Sequence, residues 1–159
     1  MNIREATADD AESISKLVSG LQKYLNELGD PTRFHFNAST YLRDGFGENP
    51  AFLALIAEIE DKAAGYLLYH FGYDTDYGRR LLYVVDLYVD EAYRGHGIGK
   101  ALMKQACEVA QREGATVLVW GVYERNELAL RFYERLGARY IKGIHLMSID
   151  VEALSREST

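Results

Sequence analysis

A glycine-rich run flanked by two cations is the part of this sequence best suited to chemistry: Arg94-Gly95-His96-Gly97-Ile98-Gly99-Lys100. An apolar, strand-like segment over 81–89 precedes the run, and a helix-like segment over 101–110 follows it. Glycines let a backbone approach a ligand closely, and the first N–H groups of a helix are unpaired and lie at the positive end of its dipole. The run therefore predicts a phosphate-binding loop with Arg94 and Lys100 at its rim; the alternative is a strand–helix turn without a ligand.

The spacing of the run excludes two common phosphate loops. A Walker A loop needs a hydroxyl residue after its lysine, whereas Ala101 follows Lys100, and Arg94 stands where the first glycine belongs. The dinucleotide fingerprint G-x-G-x-x-G needs its third glycine one residue later than Gly99. The remaining pattern, R-x-x-G-x-G, resembles the pyrophosphate loop of the GCN5-related N-acetyltransferase (GNAT) superfamily, whose members bind acetyl-CoA.

A second motif carries the same resemblance. Residues 126–138 read N-E-L-A-L-R-F-Y-E-R-L-G-A, which is similar to the family's signature N-x-x-A-x-x-F-Y-x-x-x-G-[FA]. The stretches 42–47, 73–74 and 81–83 look like the spermidine/spermine (diamine) N-acetyltransferase-like branch and its thialysine-acetylating relatives. Where that branch usually carries Glu-Asp, this chain has Val85-Asp86, so the glutamate expected as general base is missing.

The resemblance implies a fold and a reaction. The fold is α/β (α+β), with a mixed, mostly antiparallel sheet, a central splayed parallel strand pair and helices on both faces. The reaction is acetyl transfer from acetyl-CoA to a primary amine, carried by a small diamine, polyamine or amino-acid-like molecule. The alternatives are a non-catalytic acyl-CoA-binding or sensing domain and an acetyltransferase of protein amino groups. The branch also implies a homodimer.

Two side chains are the candidates for catalysis. The resemblance makes Tyr133 the acid that protonates the CoA sulfur, although helical spacing alone favours a packing role for both Phe132 and Tyr133. Asp86 interrupts an apolar strand and is the candidate base or ammonium anchor; the alternative is a structural carboxylate. Asp74 and Glu124 are further candidates for the acceptor site, where a carboxylate acting through water would substitute for a direct base.

The remaining candidates concern the co-substrate. The resemblance implies a bulge near residues 87–89, whose backbone groups pair with pantetheine. Asn126 contacts the CoA arm or serves only as a helix N-cap. The predicted cofactor-binding residues are Leu87, Tyr88, Val89, Arg94, Gly95, His96, Gly97, Ile98, Gly99, Lys100 and Asn126.

Composition limits the remaining functional classes. The 159 residues suit one domain over 1–159, and the net charge of −6 argues against a nucleic-acid partner. The single cysteine excludes an internal disulfide, and the four histidines show no metal-ligand spacing, so we expect no metal. The first residues lack a signal peptide, and the longest apolar run, 51–57, is too short to cross a bilayer. We therefore expect a cytoplasmic protein without a membrane partner.

Hydrophobic periodicity and turn residues predict the elements that position these groups. Helices are predicted over 8–27, 39–46, 98–113 and 126–136. Strands are predicted over 2–6, 51–59, 64–72, 80–89, 116–122, 139–141 and 144–150, and the polar tail 151–159 is predicted to fray.

Overall fold

Five strands form one mixed sheet in the computed structural model, which describes the backbone of residues 1–156 and the side chains through residue 153. The strands are β1 (Asn2–Glu5), β2 (Leu53–Ile59), β3 (Lys62–Asp74), β4 (Arg79–Val89) and β5 (Ala115–Trp120). Their spatial order follows the chain, and every neighbouring pair is antiparallel except β4 and β5, which are parallel. The predicted mixed sheet with one parallel pair is thus confirmed.

Helices cover both faces of the sheet. The described chain contains α1 (Ala11–Glu27), α2 (Ala38–Gly45), α3 (Ile98–Arg112), α4 (Glu127–Arg135) and α5 (Val151–Arg156). Helix α1 buries Ile14, Leu17, Val18 and Leu21, which share one face at the 3.6-residue period, against one side of the sheet. Helix α3 buries its apolar stripe against the other side, where α4 also packs. The sheet is therefore the middle layer, as predicted.

The parallel pair opens at one end. Helix α3 is the crossover that parallel strands require, and it places β5 beside β4. The two strands pair only from Arg80 opposite Ala115 to Val84 opposite Trp120. Beyond Val84, β4 continues to Val89 paired with β3 alone. The edge of β4 that faces β5 is therefore left open, which creates the splay that the resemblance implied.

The prediction of a final pair of strands is wrong. Residues 139–150 pair with no strand, although their alternating apolar side chains suggested strands over 139–141 and 144–150. A strand needs a ladder partner, and the outer edge of β5 has none within residues 1–156. Large apolar side chains consequently face solvent, with Leu146 at 86% and Met147 at 94% exposure. Of the predicted frayed tail, 151–156 is the short helix α5, and 157–159 lie outside the described residues.

Candidate functional site

The loop between β4 and α3 presents backbone N–H groups to open space. Gly95 and Gly97 have φ of +82° and +77°, and a Cβ added at either position would meet no atom within 4 Å. Gly97 is the N-cap of α3, and its carbonyl accepts the N–H of Ala101 at 3.0 Å. The N–H groups of residues 98–100 lie ahead of this first helical bond, so they have no intrahelical partner. This geometry suits an anion such as a pyrophosphate.

The side chains of the loop divide into two groups. Ile98 is 2% exposed and belongs to the core, and a Cβ at Gly99 would approach Phe132 Cζ to 3.3 Å. These two residues serve helix packing, so only their backbone can face a ligand. His96 is exposed, and its Nδ1–H donates to the Arg94 carbonyl at 2.9 Å. Lys100 is exposed in the first turn of α3, next to the loop.

Arg94, predicted to add a positive charge at the rim of the loop, is half-buried between two aromatic rings. Its guanidinium carbon sits 4.8 Å from the ring centre of Tyr24 and 5.5 Å from that of Tyr88. Its Nε–H donates to the Val89 carbonyl at 3.0 Å. Cation–π attraction and this hydrogen bond hold the side chain between α1 and the end of β4. Arg94 thus ties the loop to its supporting elements.

Asn126 connects two helices that flank the splay. Its Oδ1 accepts the backbone N–H of Ala129 at 3.1 Å, which confirms the predicted N-cap of α4. The same oxygen accepts the Tyr24 hydroxyl from α1 at 2.8 Å. The side chain is buried, so these two bonds account for its oxygen without any ligand. This role of Tyr24 could not be inferred from the sequence, because its partner lies 102 residues away.

A β-bulge occurs at Val85, earlier along β4 than the predicted site at 87–89. Leu68 lies opposite Asp86 and Tyr69 opposite Val84, so Val85 is the unpaired extra residue. The bulge follows the last β4–β5 pair directly. Val84 packs on the face of the sheet that α3 covers. After the bulge, successive side chains again point to opposite faces, and Asp86 shares the other face with Tyr88. The bulge therefore places Asp86 at the mouth of the splay.

The negative charge of Asp86 acts on Tyr133 near this mouth. Burial raises the pKa of the Asp86 carboxyl, and the Tyr66 hydroxyl acts in the opposite direction. Burial also raises the pKa of Tyr133 to about 12, with the negative charge of Asp86 adding to the effect. The Tyr133 phenol is consequently protonated at neutral pH and able to donate a proton. Its ring also packs 4.9 Å from Trp120, so packing and chemistry are compatible.

Two other carboxylates were predicted for the acceptor site, Asp74 and Glu124. Asp74 accepts Arg79 Nε–H at 2.9 Å in an ion pair at the far end of β3. It is six residues along β3 from Leu68, the partner of Asp86, which corresponds to about 20 Å at 3.3 Å per residue. Asp74 is therefore remote from Asp86 along the hairpin, and its place in the acceptor site stays a prediction. Glu124 lies exposed in the turn after β5 and before α4, on the side of the splay.

Tyr66 is the residue near the site that the sequence analysis missed. The Tyr66 side chain is completely buried on the face of the sheet that carries Asp86. Burial raises the pKa of the Tyr66 hydroxyl well above its ordinary value, and the negative charge of Asp86 adds to that effect. Strand alternation shows which face Tyr66 occupies, but only the register of β3 against β4 shows that Asp86 is its neighbour.

Within the described residues, no group of three or more His, Cys, Asp or Glu side chains is arranged to hold a metal ion. None of the helices described is both long and apolar enough to cross a membrane.

Comparison with known proteins gives consistent results. Residues 21–138 match the model of the acetyltransferase (GNAT) family. The chain is 37% identical to the thialysine N-epsilon-acetyltransferase of Bos taurus, over 96% of this chain and 94% of that protein. It is 33% identical to spermidine/spermine N(1)-acetyltransferase-like protein 1 of Homo sapiens, over 96% of this chain and 23% of that protein.

A solved structure resembles this fold closely. A tetramutant of the BH1408 protein from Bacillus halodurans superposes with a TM-score of 0.79 and 28% identity, covering 94% of this chain and 100% of that one. The family match spans most of the chain, and it includes the phosphate-binding loop, the splay and α4. This chain belongs to the GNAT family, whose co-substrate is acetyl-CoA, and it is an N-acetyltransferase.

Proposed function

We propose that this enzyme acetylates the primary amine of a small, lysine-like cationic acceptor, and that thialysine is the first candidate. The observation that carries the proposal is the buried Asp86 carboxyl just beyond the last β4–β5 pair, whose charge acts on the Tyr133 phenol. A carboxyl group and a protonated phenol that influence each other can serve both proton transfers of the reaction. The name of the bovine relative supports the choice of acceptor.

The co-substrate is held by backbone groups more than by side chains. The N–H groups of residues 95–100 receive the pyrophosphate, and exposed Lys100 adds a positive charge. The open edge of β4 at residues 87–89 offers its backbone to the pantetheine arm, which takes the place that β5 vacates. Arg94 and Asn126 support this site, since both side chains are engaged with Tyr24.

The proposed chemistry follows from ordinary pKa values. An alkyl amine with a pKa of about 10.4 is protonated at neutral pH and must lose a proton before it attacks. Asp86 anchors the ammonium group and accepts that proton, directly or through water. The nitrogen then forms a bond to the acetyl carbon and releases its second proton to solvent while the carbon–sulfur bond breaks. Tyr133 donates its proton to the departing sulfur, whose thiol has a pKa of about 8.5, and regains one from solvent.

The surroundings of Asp86 favour a particular acceptor. Within residues 1–153 its carboxylate forms no ion pair, so an incoming ammonium would be its cationic partner. Val85 next to it is 43% exposed and offers an apolar contact where the polyamine branch carries a glutamate. One anion beside an apolar side chain suits a single reacting ammonium on an aliphatic or thioether chain better than a polyamine with several charges.

A panel of acceptors tests this proposal. The rate of CoA release from acetyl-CoA is measured with thialysine, lysine, spermidine, an aromatic amine that is neutral at pH 7, and a peptide with a free N-terminus. We expect the highest kcat/KM for thialysine or lysine. A peptide that outperforms every small amine would indicate protein acetylation instead. Tight CoA binding without turnover of any amine would contradict an active enzyme.

The proposal includes a homodimer and a cytoplasmic location. A homodimer is supported by the apolar side chains of residues 139–150, which a second copy would remove from water. Light scattering should then give twice the mass of 18.0 kDa, and Leu146→Glu combined with Met147→Glu should shift the population to the monomer. A monomeric wild-type protein would contradict the dimer. The cytoplasmic location follows from the co-substrate, since acetyl-CoA is an intracellular metabolite.

A further inference from the structure

The Tyr66 hydroxyl is a buried polar group that the proposed reaction does not use. The side chain has no exposed surface, and the hydroxyl forms no hydrogen bond of good geometry with any described residue. Buried hydroxyl groups in folded proteins nearly always have a partner, because leaving one unpaired is costly. The position of Tyr66 therefore needs an explanation.

The register of the sheet supplies a partner. Tyr66 lies opposite Tyr88. Leu68, which is the next residue of β3 on the same face, lies opposite Asp86. Tyr66 and Asp86 are thus diagonal neighbours on the same face, within reach of a long side chain. The bulge at Val85 is what turns Asp86 toward this face.

The other groups around Asp86 do not compete for this role. Tyr88 follows on the same face, but it lies against Arg94 and Gly20. Tyr133 approaches from α4, and the stacked pair of His70 and Tyr83 lies farther along the hairpin. Of these neighbours, Tyr66 is the one whose hydroxyl lowers the pKa of the Asp86 carboxyl.

We propose that Tyr66 is a positioning residue whose hydroxyl donates a hydrogen bond to one carboxylate oxygen of Asp86 and leaves the other oxygen for the acceptor amine. This inference rests on the proposed function, in which Asp86 acts on that amine. A hydrogen bond to the charged form favours ionisation. Tyr66 therefore opposes the effect of burial on the pKa of Asp86, and it fixes the direction of the carboxylate.

Tyr66→Phe tests the inference, with Tyr41→Phe as the matched control. Tyr41 is also buried on the α1 side of the sheet, but its hydroxyl donates to the Thr7 carbonyl at 2.9 Å, in a separate part of the fold. Removing the Tyr66 hydroxyl should raise the pKa of Asp86, so the acid limb of the kcat/KM profile should move up by about one pH unit. At a pH on that limb, kcat/KM should fall about tenfold. Tyr41→Phe should leave the limb in place.

Two further measurements separate the outcomes. In an Asp86→Asn background, Tyr66→Phe should have no additional effect on kcat/KM, because the two residues act through one carboxylate. NMR titration of the Asp86 carboxyl should show the same upward shift without any turnover. An unmoved acid limb together with a higher unfolding temperature for Tyr66→Phe would show an unpaired hydroxyl and overturn the inference. Unchanged kcat/KM in Asp86→Asn itself would instead overturn the role of Asp86 in the proposed function.

Discussion

Gly97→Val is the most direct test of the phosphate-binding loop. Gly97 has a φ of +77°, in the left-handed region that a β-branched residue strongly disfavours. A Cβ at this position meets no protein atom within 4 Å, so the substitution causes backbone strain but no clash of that atom. The new side chain would occupy the space in front of the loop, where the proposed pyrophosphate lies.

The two consequences have different magnitudes. Left-handed strain costs about 1–2 kcal/mol, which lowers the unfolding temperature of a domain of this size by roughly 2–8 °C. The loss of two hydrogen bonds to a charged phosphate, at about 1.5 kcal/mol each, amounts to about 3 kcal/mol. Since 1.4 kcal/mol corresponds to a factor of ten, the Kd for CoA should increase at least about 100-fold.

Gly114→Val provides the matched control at the other end of α3. Gly114 has a φ of +75°, and a Cβ there would lie 3.9 Å from Arg80, an ordinary contact distance. Both variants should lose similar stability, but only Gly97→Val should lose CoA affinity in calorimetric titrations at a temperature where both are folded. Equal CoA affinity in the two folded variants would refute the assignment of the loop.

Three other substitutions test the catalytic and structural assignments. Tyr133→Phe keeps the packing against Trp120 but removes the proposed proton donor, so kcat should fall by roughly 10²–10⁴ with little change in the KM for acetyl-CoA; a normal kcat with rate-limiting chemistry would leave Tyr133 a packing residue. The hydrogen bonds from Arg4 hold the pKa of Asp10 below 3.8, so the stability they contribute is present above that pH and is lost as the pH falls through the folded-state pKa. Asp10→Asn should therefore be less stable at pH 7 and show a weaker loss of unfolding temperature between pH 7 and pH 3. Asn126→Ala removes the cap of α4 and the partner of Tyr24 and should lower the free energy of unfolding by about 1–2 kcal/mol in chemical denaturation.

The main elements of the fold were predictable because their signals are local. The helical spacing of Ile14, Leu17, Val18 and Leu21 identifies α1, and the Asn126 cap identifies the start of α4. The final strands were not predictable in the same way. The alternation of residues 139–150 is a local signal for a strand, but a ladder partner is a property of the whole assembly, and none lies within the described chain.

The site was predictable in its residue types but less so in its geometry. The sequence indicated the loop, Asp86 and Tyr133, and in the structure the charge of Asp86 acts on the Tyr133 phenol. The direction of Arg94 could not be foreseen, because its partners Tyr24 and Tyr88 come from elements distant in sequence. The position of the bulge depends on the register of β3 against β4, which no motif encodes.

The bulge also determines how the valine at position 85, which replaces the glutamate of the polyamine branch, affects the site. Val85 is the extra residue of the bulge and is 43% exposed, whereas Asp86 is turned inward, where burial raises its pKa. A carboxylate at 85 would be more exposed to water than Asp86, so burial would raise its pKa less. General-base catalysis is most efficient when the pKa lies close to the working pH, so the inward carboxylate is the better placed of the two for proton transfer. Valine at position 85 therefore removes a peripheral charge that would favour polycationic acceptors, and it leaves in place the group that we propose to deprotonate the amine.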